Sequence, residues 1–148
     1  MAFTALLLAA LLSAGDRLVI PWVVAGHSME PALWPGDRLL IDRWTFRQRA
    51  PRVGELVLFE GPSGTPLVKR VAGPPRHAPT YPELWGAGDG GPVHWVLGDH
   101  PEMSRDSRHF GLVPSTRIRG RVVLRYWPPS RGRIVRRASP HSYISSTR

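Results

Sequence analysis

Residues 55–73 read ELVLFEGPSGTPLVKRVAG, and this stretch contains the pattern that decides the fold. Two short runs rich in Val, Leu and Phe, 55–60 and 67–73, are separated by Gly, Pro, Ser and Thr. Runs of this kind, bounded by turn residues, are typical of β-strands. Four similar runs lie further along the chain in both directions: 18–24 (LVIPWVV), 38–44 (RLLIDRW), 93–98 (VHWVLG) and 118–127 (IRGRVVLRYW).

The composition favours a β domain over a helical bundle. The chain has 148 residues, enough for one domain, and its 15 glycines and 16 prolines together exceed a fifth of the sequence. Neither an internal repeat nor a convincing amphipathic helical pattern occurs inside the domain. We therefore predict a mainly β fold, a compact and mostly antiparallel β domain over residues 16–127.

The two ends of the chain differ from this domain. Residues 1–15 (MAFTALLLAALLSAG) carry no charged side chain and predict a short apolar helix, a possible short membrane anchor. Such a helix spans roughly 21 Å, less than the ~30 Å of a bilayer core. A thin or truncated anchor, an interfacial helix and a segment packed on the domain all remain open. Residues 74–92 predict an exposed connection, and residues 128–148 a basic, disordered tail.

The net charge of +9 is unevenly distributed. Residues 128–148 contain five arginines and no acidic residue, so the other 127 residues, with 15 basic and 11 acidic side chains, have a net charge of +4. A surface that binds nucleic acid or an anionic membrane would explain a basic balance. Because more than half of the excess lies in the tail, such a binding module stays a different-class alternative, and no nucleic acid is expected.

The absence of cysteine excludes disulfide scaffolds, zinc ribbons and thiol catalysis. The six histidines show no metal-ligand spacing such as HExxH. We therefore expect neither a bound metal ion nor a cofactor.

The basic residues point to one position. Nineteen of the twenty are arginine, and Lys69 is the only lysine. Arginine cannot act as a base because its pKa exceeds about 12, whereas a neutral lysine amine can activate a serine hydroxyl. To act near pH 7, Lys69 would need a pKa lower by about three than its reference value of about 10.4. This corresponds to a destabilisation of the charged form by about 4 kcal/mol, which burial can supply. Strand alternation places Lys69 on the face opposite to Val68 and Arg70, as it also would in an ordinary half-buried strand.

Three segments in a fixed order carry a resemblance to a known family. They are residues 26–33 (GHSMEPAL) followed by Gly36-Asp37, residues 69–73 (KRVAG), and residues 98–114 (GDHPEMSRDSRHFGLVP). Over roughly residues 18–127 the chain resembles the type I signal peptidases, membrane-associated serine proteases with a Ser/Lys dyad. The order and the spacing of all three segments agree with the family pattern, which makes the resemblance highly specific.

The resemblance implies a role for individual residues. Ser28 corresponds to the nucleophile, with its own backbone N–H in the oxyanion hole, and Lys69 corresponds to the general base. Ser104 corresponds to the serine whose hydroxyl orients the lysine. Met29, next to the nucleophile, is assigned with it to the substrate and oxyanion site. The residues expected to support the site, for which an ordinary ion pair is the alternative, are Asp106, Arg108 and Arg70.

Three positions depart from the family pattern. Gly26 stands where the family has a serine whose hydroxyl can donate to the oxyanion, and loss of one donor costs about 2.7–4 kcal/mol of transition-state stabilisation. A backbone N–H or His27 could replace this donor. His27 itself replaces a glycine, and His100 replaces an asparagine. An inactive homologue and His27 as an alternative base therefore stay open.

The resemblance implies a serine endopeptidase that removes an N-terminal signal or propeptide from a precursor polypeptide, cleaving after small side chains. Within the family, residues 95–99 (WVLGD) and 119–129 (RGRVVLRYWPP) are similar to the maturation proteases of nickel-type superoxide dismutase, which gives an alternative substrate. A self-cleaving Ser/Lys peptidase of the repressor type is not expected, because it usually carries a DNA-binding domain for which the residues before Ser28 leave no room.

The expected location follows from the same alternatives. The protein is expected at the cell membrane, single-pass or peripheral, with possible membrane association through residues 1–15. It is expected in the cytoplasm if superoxide dismutase maturation is its function.

Overall fold

The computed structural model of the chain describes residues 18–73 and 91–138. The predicted apolar segment 1–15, most of the predicted connection 74–92, and residues 139–148 of the predicted tail lie outside the described residues. In the described part of the chain, no helix is long and apolar enough to cross a bilayer.

The described residues form eight strands and two helices of a single turn each. The strands are β1 (Val19–Val23), β2 (Arg38–Asp42), β3 (Leu56–Glu60), β4 (Pro66–Ala72), β5 (Val93–Leu97), β6 (Val113–Pro114), β7 (Ile118–Trp127) and β8 (Arg133–Ile134). The helices are α1 (Thr45–Gln48) and α2 (Ser107–Phe110). All six runs predicted as strands form strands, namely β1 to β5 and β7, and the predicted fold class is confirmed.

The strands form one sheet in the order β1-β2-β7-β3-β4-β5-β6, with β8 paired to β7. Every pair of neighbours is antiparallel. The long strand β7 pairs with β2 along one edge and with β3 and then β8 along the other. Gly120 lies where β7 crosses β2 closely, because a Cβ at this position would come within 2.6 Å of the Asp42 carbonyl oxygen.

The sheet is covered by side chains on both faces. In β3, Leu56 and Leu58 pack into one apolar cluster, while Val57 and Phe59 pack into a second. The next strand continues this alternation, with Val68 in the first cluster and Leu67 and Val71 in the second. Because side chains alternate along a strand, Lys69 lies on the side of the second cluster and Arg70 on the side of the first.

The prediction of a disordered tail is wrong for residues 128–138. A 3-10 turn at Pro129–Arg131 leads into β8, and beyond it the Ala138 N–H donates to the Gly54 carbonyl (3.1 Å). The physical reason is the length of β7: β3 pairs only with its first half, and the second half leaves backbone groups that β8 satisfies. Val135 then packs against the first apolar cluster.

Candidate active site

Ser28 lies in the loop that joins β1 to β2. The Val24 N–H donates to the Asp37 carbonyl (2.9 Å) and closes this loop at its base. Inside the loop, the side chains of Met29 and Leu33 are buried in the first apolar cluster. These apolar residues therefore fix the backbone on which Ser28 is presented.

Lys69 reaches Ser28 from β4. Its Nζ lies 2.5 Å from the Ser28 Oγ, and its side chain is only 3% exposed. Burial lowers the pKa of Lys69 from its ordinary value, and the negative charges of Asp106 and Asp99 only partly oppose this effect. A lowered pKa increases the fraction of neutral amine, the form that can accept a proton. The structure thus brings together the two residues that the sequence paired.

Ser104 and Asp106 lie behind the lysine in the segment that follows β5. The Ser104 hydroxyl donates to the Asp106 carboxylate (2.7 Å), and among the described residues this is its only side-chain hydrogen bond. Asp106 is fully buried and also accepts from the Gly98 N–H (2.9 Å) and from the Arg108 guanidinium (2.7 Å). Burial alone would raise the pKa of Asp106, but these donors outweigh it and hold the pKa below its usual value. Among the described residues, Ser104 thus makes no hydrogen bond to Lys69; it contacts Asp106, whose negative charge acts on Lys69.

Gly98 makes this arrangement possible. A Cβ on Gly98 would lie 2.1 Å from the Ser104 Oγ and 2.6 Å from the Ser28 carbonyl oxygen. Only glycine lets the two serine-bearing segments approach so closely, and the His100 N–H then donates to the Ser28 carbonyl (3.0 Å). The sequence places Gly98 and Asp99 in the third segment of the resemblance but predicts no role for either residue.

Arg70 projects to the other side of β4. Its guanidinium donates to both carboxylate oxygens of Asp99 (2.9 and 2.6 Å) and to the Gly54 carbonyl (3.0 Å). Both side chains of the pair are buried. This bidentate pair joins β4 to the segment after β5 and holds both near the Ser28 loop.

The other predicted positions in the Ser28 loop, Gly26, His27 and Met29, have different surroundings from one another. Gly26 borders open space, because no atom lies within 4 Å of a Cβ built on it. His27 is exposed, and its Nδ1 lies 2.5 Å from the Glu30 carboxylate. Met29 has its side chain in the apolar cluster, so only its backbone can face a substrate. Within the described residues, no group of three or more His, Asp or Glu side chains could hold a metal ion.

A cleft of about 460 Å³ opens beside Ser28 and Lys69. One wall comes from the turn between β3 and β4, and the opposite wall comes from the segment that contains α2. The residues that line it are Gly26, His27, Ser28, Pro62, Ser63, Thr65, Leu67, Lys69, Met103, Arg105 and Phe110. Ser28 and Lys69 thus both line a cleft that is open to a ligand.

Comparison with known proteins identifies a family. The profile of the family described as "Signal peptidase, peptidase S26" matches residues 1–77 and 93–127, which include every residue of the Ser28–Lys69–Ser104 arrangement. The chain belongs to the signal peptidase S26 family. The match ends at Trp127, so β8 and the residues after it lie outside the part that this S26 chain shares with the profile.

Individual relatives of this S26 peptidase chain carry the same type of name. The "Probable signal peptidase I-2" of Synechocystis sp. is 30% identical over 137 residues, covering 73% of this chain and 63% of the relative. The chain thus spans less than two thirds of that protein. "Signal peptidase IB" of Staphylococcus aureus is 27% identical over 154 residues, covering 77% of this chain and 81% of the relative.

Proposed function

We propose that this chain is a serine endopeptidase in which Ser28 is the nucleophile and Lys69 the general base, and that it removes an N-terminal signal or propeptide from a precursor protein. The observation that carries the proposal is the 2.5 Å separation between the Lys69 Nζ and the Ser28 Oγ, with the amine buried. Membership in a signal peptidase family supports the substrate class.

The first half of the reaction forms an ester between Ser28 and the substrate. Neutral Lys69 takes the proton from the Ser28 hydroxyl as Oγ attacks the carbonyl carbon of the scissile peptide bond. The tetrahedral intermediate then collapses, the C–N bond breaks, and the Lys69 ammonium returns the proton to the leaving nitrogen. Because burial lowers the pKa of Lys69 below that of a solvated lysine, a larger fraction of its amine is neutral at a given pH and able to accept the proton.

Stabilisation of the oxyanion is assigned to the backbone N–H of Ser28. This N–H makes no hydrogen bond within the described residues and is therefore available to a ligand. No side-chain hydroxyl stands at Gly26 to serve as a second donor, so the proposal implies a weaker oxyanion hole than one with two donors.

The second half of the reaction hydrolyses the ester. Lys69 accepts a proton from a water molecule, the resulting hydroxide attacks the acyl carbon, and the proton finally returns to the Ser28 Oγ. Asp106 stays ionised throughout, because its three donors hold it in the charged form, and its charge favours the ammonium that forms transiently.

The proposal is tested with purified Ser28→Ala, beside Ser130→Ala as a matched control on an exposed turn outside the cleft. Each variant is incubated with a secretory precursor and, separately, with a nickel-type superoxide dismutase precursor, and the products are sequenced from their N-termini. We expect Ser130→Ala to give one new N-terminus and Ser28→Ala to give none. The precursor that is cut distinguishes the two substrate alternatives.

Cleavage by Ser28→Ala at the wild-type rate would contradict the proposal. A second readout is the pH dependence of kcat/KM, which we expect to rise with the fraction of neutral Lys69 and to level off with an apparent pKa below 10.5. An apparent pKa at or above 10.5 would exclude buried Lys69 as the base.

A further inference from the structure

Arg105 stands on a fixed backbone at the wall of the cleft. Its two neighbours in the chain, Ser104 and Asp106, are both buried and are joined by the hydrogen bond between their side chains. Asp106 is also held by the Gly98 N–H. Arg105 lies between these two anchored positions, is itself exposed, and lines the same cleft as Ser28 and Lys69. A peptide bound in the cleft would therefore meet Arg105 on a backbone that is anchored on both sides.

The charge of Arg105 is not balanced inside the cleft. The residues that line the cleft include no carboxylate, and Lys69 is neutral in its reactive form. Among the described residues, Arg105 makes no hydrogen bond or ion pair, whereas its near neighbour Arg108 is paired with Asp106. The cleft that contains Ser28 and Lys69 thus carries one positive charge with no carboxylate among its lining residues.

A bound peptide would change the surroundings of this charge. An extended chain in the cleft displaces water, and an ion pair in a partly dehydrated site is stronger than the same pair on an open surface. A substrate carboxylate would bind more tightly because Arg105 attracts it, while a substrate lysine or arginine would be repelled.

We propose that Arg105 is a specificity-determining residue that selects precursors with an aspartate or glutamate side chain among the few residues around the cleavage site. This inference rests on the proposed function, because it requires a peptide in the cleft beside Ser28. It concerns one position of the substrate and adds no step to the reaction.

The test measures the ratio of kcat/KM between peptides that share one cleavable sequence and differ at a single position. Each of six positions, the second and third residues before the scissile bond and the first four after it, is occupied in turn by Glu, Gln or Lys, while the residue just before the bond stays small. Wild type, Arg105→Gln, Arg105→Glu and the matched control Arg133→Gln are compared by kcat/KM. Arg133 is also exposed and has no side-chain partner among the described residues, but it lies on β8 outside the cleft.

At one position we expect wild type and Arg133→Gln to prefer Glu over Gln by at least about fivefold. This preference should vanish in Arg105→Gln and turn into a preference for Lys in Arg105→Glu. It should also weaken as salt rises from about 0.05 M to about 0.5 M, because screening shortens the reach of the charge.

Two outcomes separate this inference from the proposed function. An equal ratio of Glu to Gln in wild type and Arg105→Gln at all six positions would overturn the role of Arg105 and leave the Ser28–Lys69 peptidase intact. Cleavage that persists in Ser28→Ala would overturn both proposals. Circular dichroism of each variant shows whether the change of charge has left the fold unaltered.

Discussion

Lys69 and Arg70 are consecutive residues of β4, and both are buried, at 3% and 5% exposure. They nevertheless lie in opposite environments. Lys69 faces a hydroxyl, with carboxylates acting on it only through their charge, and burial therefore lowers its pKa. Arg70 faces a carboxylate that accepts two hydrogen bonds from it.

In the function proposed above, β4 supplies both a reactive amine and a structural cation. A buried charge is tolerated when an opposite charge compensates it. Where no such partner is in contact, burial favours the neutral form of a group that can lose its proton. Arginine suits the first environment because it stays charged, and lysine suits the second because it does not. The single lysine of the sequence stands at the buried position that faces Ser28.

The largest expected effect comes from Lys69→Arg, which keeps the positive charge and removes the ability to lose a proton. We expect kcat/KM to fall by about 10⁴-fold, the upper end of what a general base contributes. The measurement is cleavage of a precursor by enzyme whose circular dichroism spectrum matches wild type. Activity within a few-fold of wild type would mean that the two cations of β4 are both structural.

The next effect concerns the other face of the strand. In Arg70→Met the Asp99 carboxylate stays buried without its cation, and we expect a loss of about 3–5 kcal/mol in the free energy of unfolding. The double variant Arg70→Met/Asp99→Leu removes both charges and should recover most of this loss. Urea unfolding of the three proteins gives the comparison. Equal stability of wild type and Arg70→Met would show that the pair contributes nothing to the fold.

How far the sequence predicted this site depends on the kind of signal at each position. The six strands and the placement of Lys69 opposite Arg70 follow from local patterns, because alternation and turn residues act within a few neighbours. The approach of Ser28 to Lys69 followed from the resemblance, since no local pattern joins two positions that are 41 residues apart.

Other features could not be read from local patterns because they depend on packing. Strand β8 consists of only Arg133 and Ile134, and it forms because β3 leaves part of β7 unpaired. The approach of Ser104 to the Ser28 backbone depends on Gly98, because a Cβ at this position would collide with both. Met29 was assigned to the substrate site on its position beside Ser28, but the direction of its side chain is set by the core.

A smaller effect is expected on the reactive side of the strand from Gly26→Ser. A Cβ at Gly26 would meet no atom within 4 Å, so a serine fits without rearrangement and can offer its hydroxyl to the oxyanion. We expect kcat to rise by about tenfold, with an unchanged midpoint of thermal unfolding. Gly98→Ser is the contrasting variant, because its Cβ would collide with Ser104, and it should lower both stability and activity. A kcat for Gly26→Ser equal to that of wild type would mean that the added hydroxyl does not reach the oxyanion.

The last effect is on the pH dependence of stability, and it separates the two cations most directly. Because the folded-state pKa of Lys69 is lowered, the unfolded chain binds one more proton between that pKa and about 10.5, and stability rises with pH across this window. The slope from one group is at most about 1.4 kcal/mol per pH unit. In Lys69→Met this rise should be absent, whereas Arg70→Met should keep it at a lower overall stability, because an arginine does not titrate there. The measurement is the free energy of unfolding by urea from pH 7 to pH 11. Parallel curves for wild type and Lys69→Met would show that burial does not disfavour the charged form of Lys69. Lys69 would then be no better a base than a lysine in water.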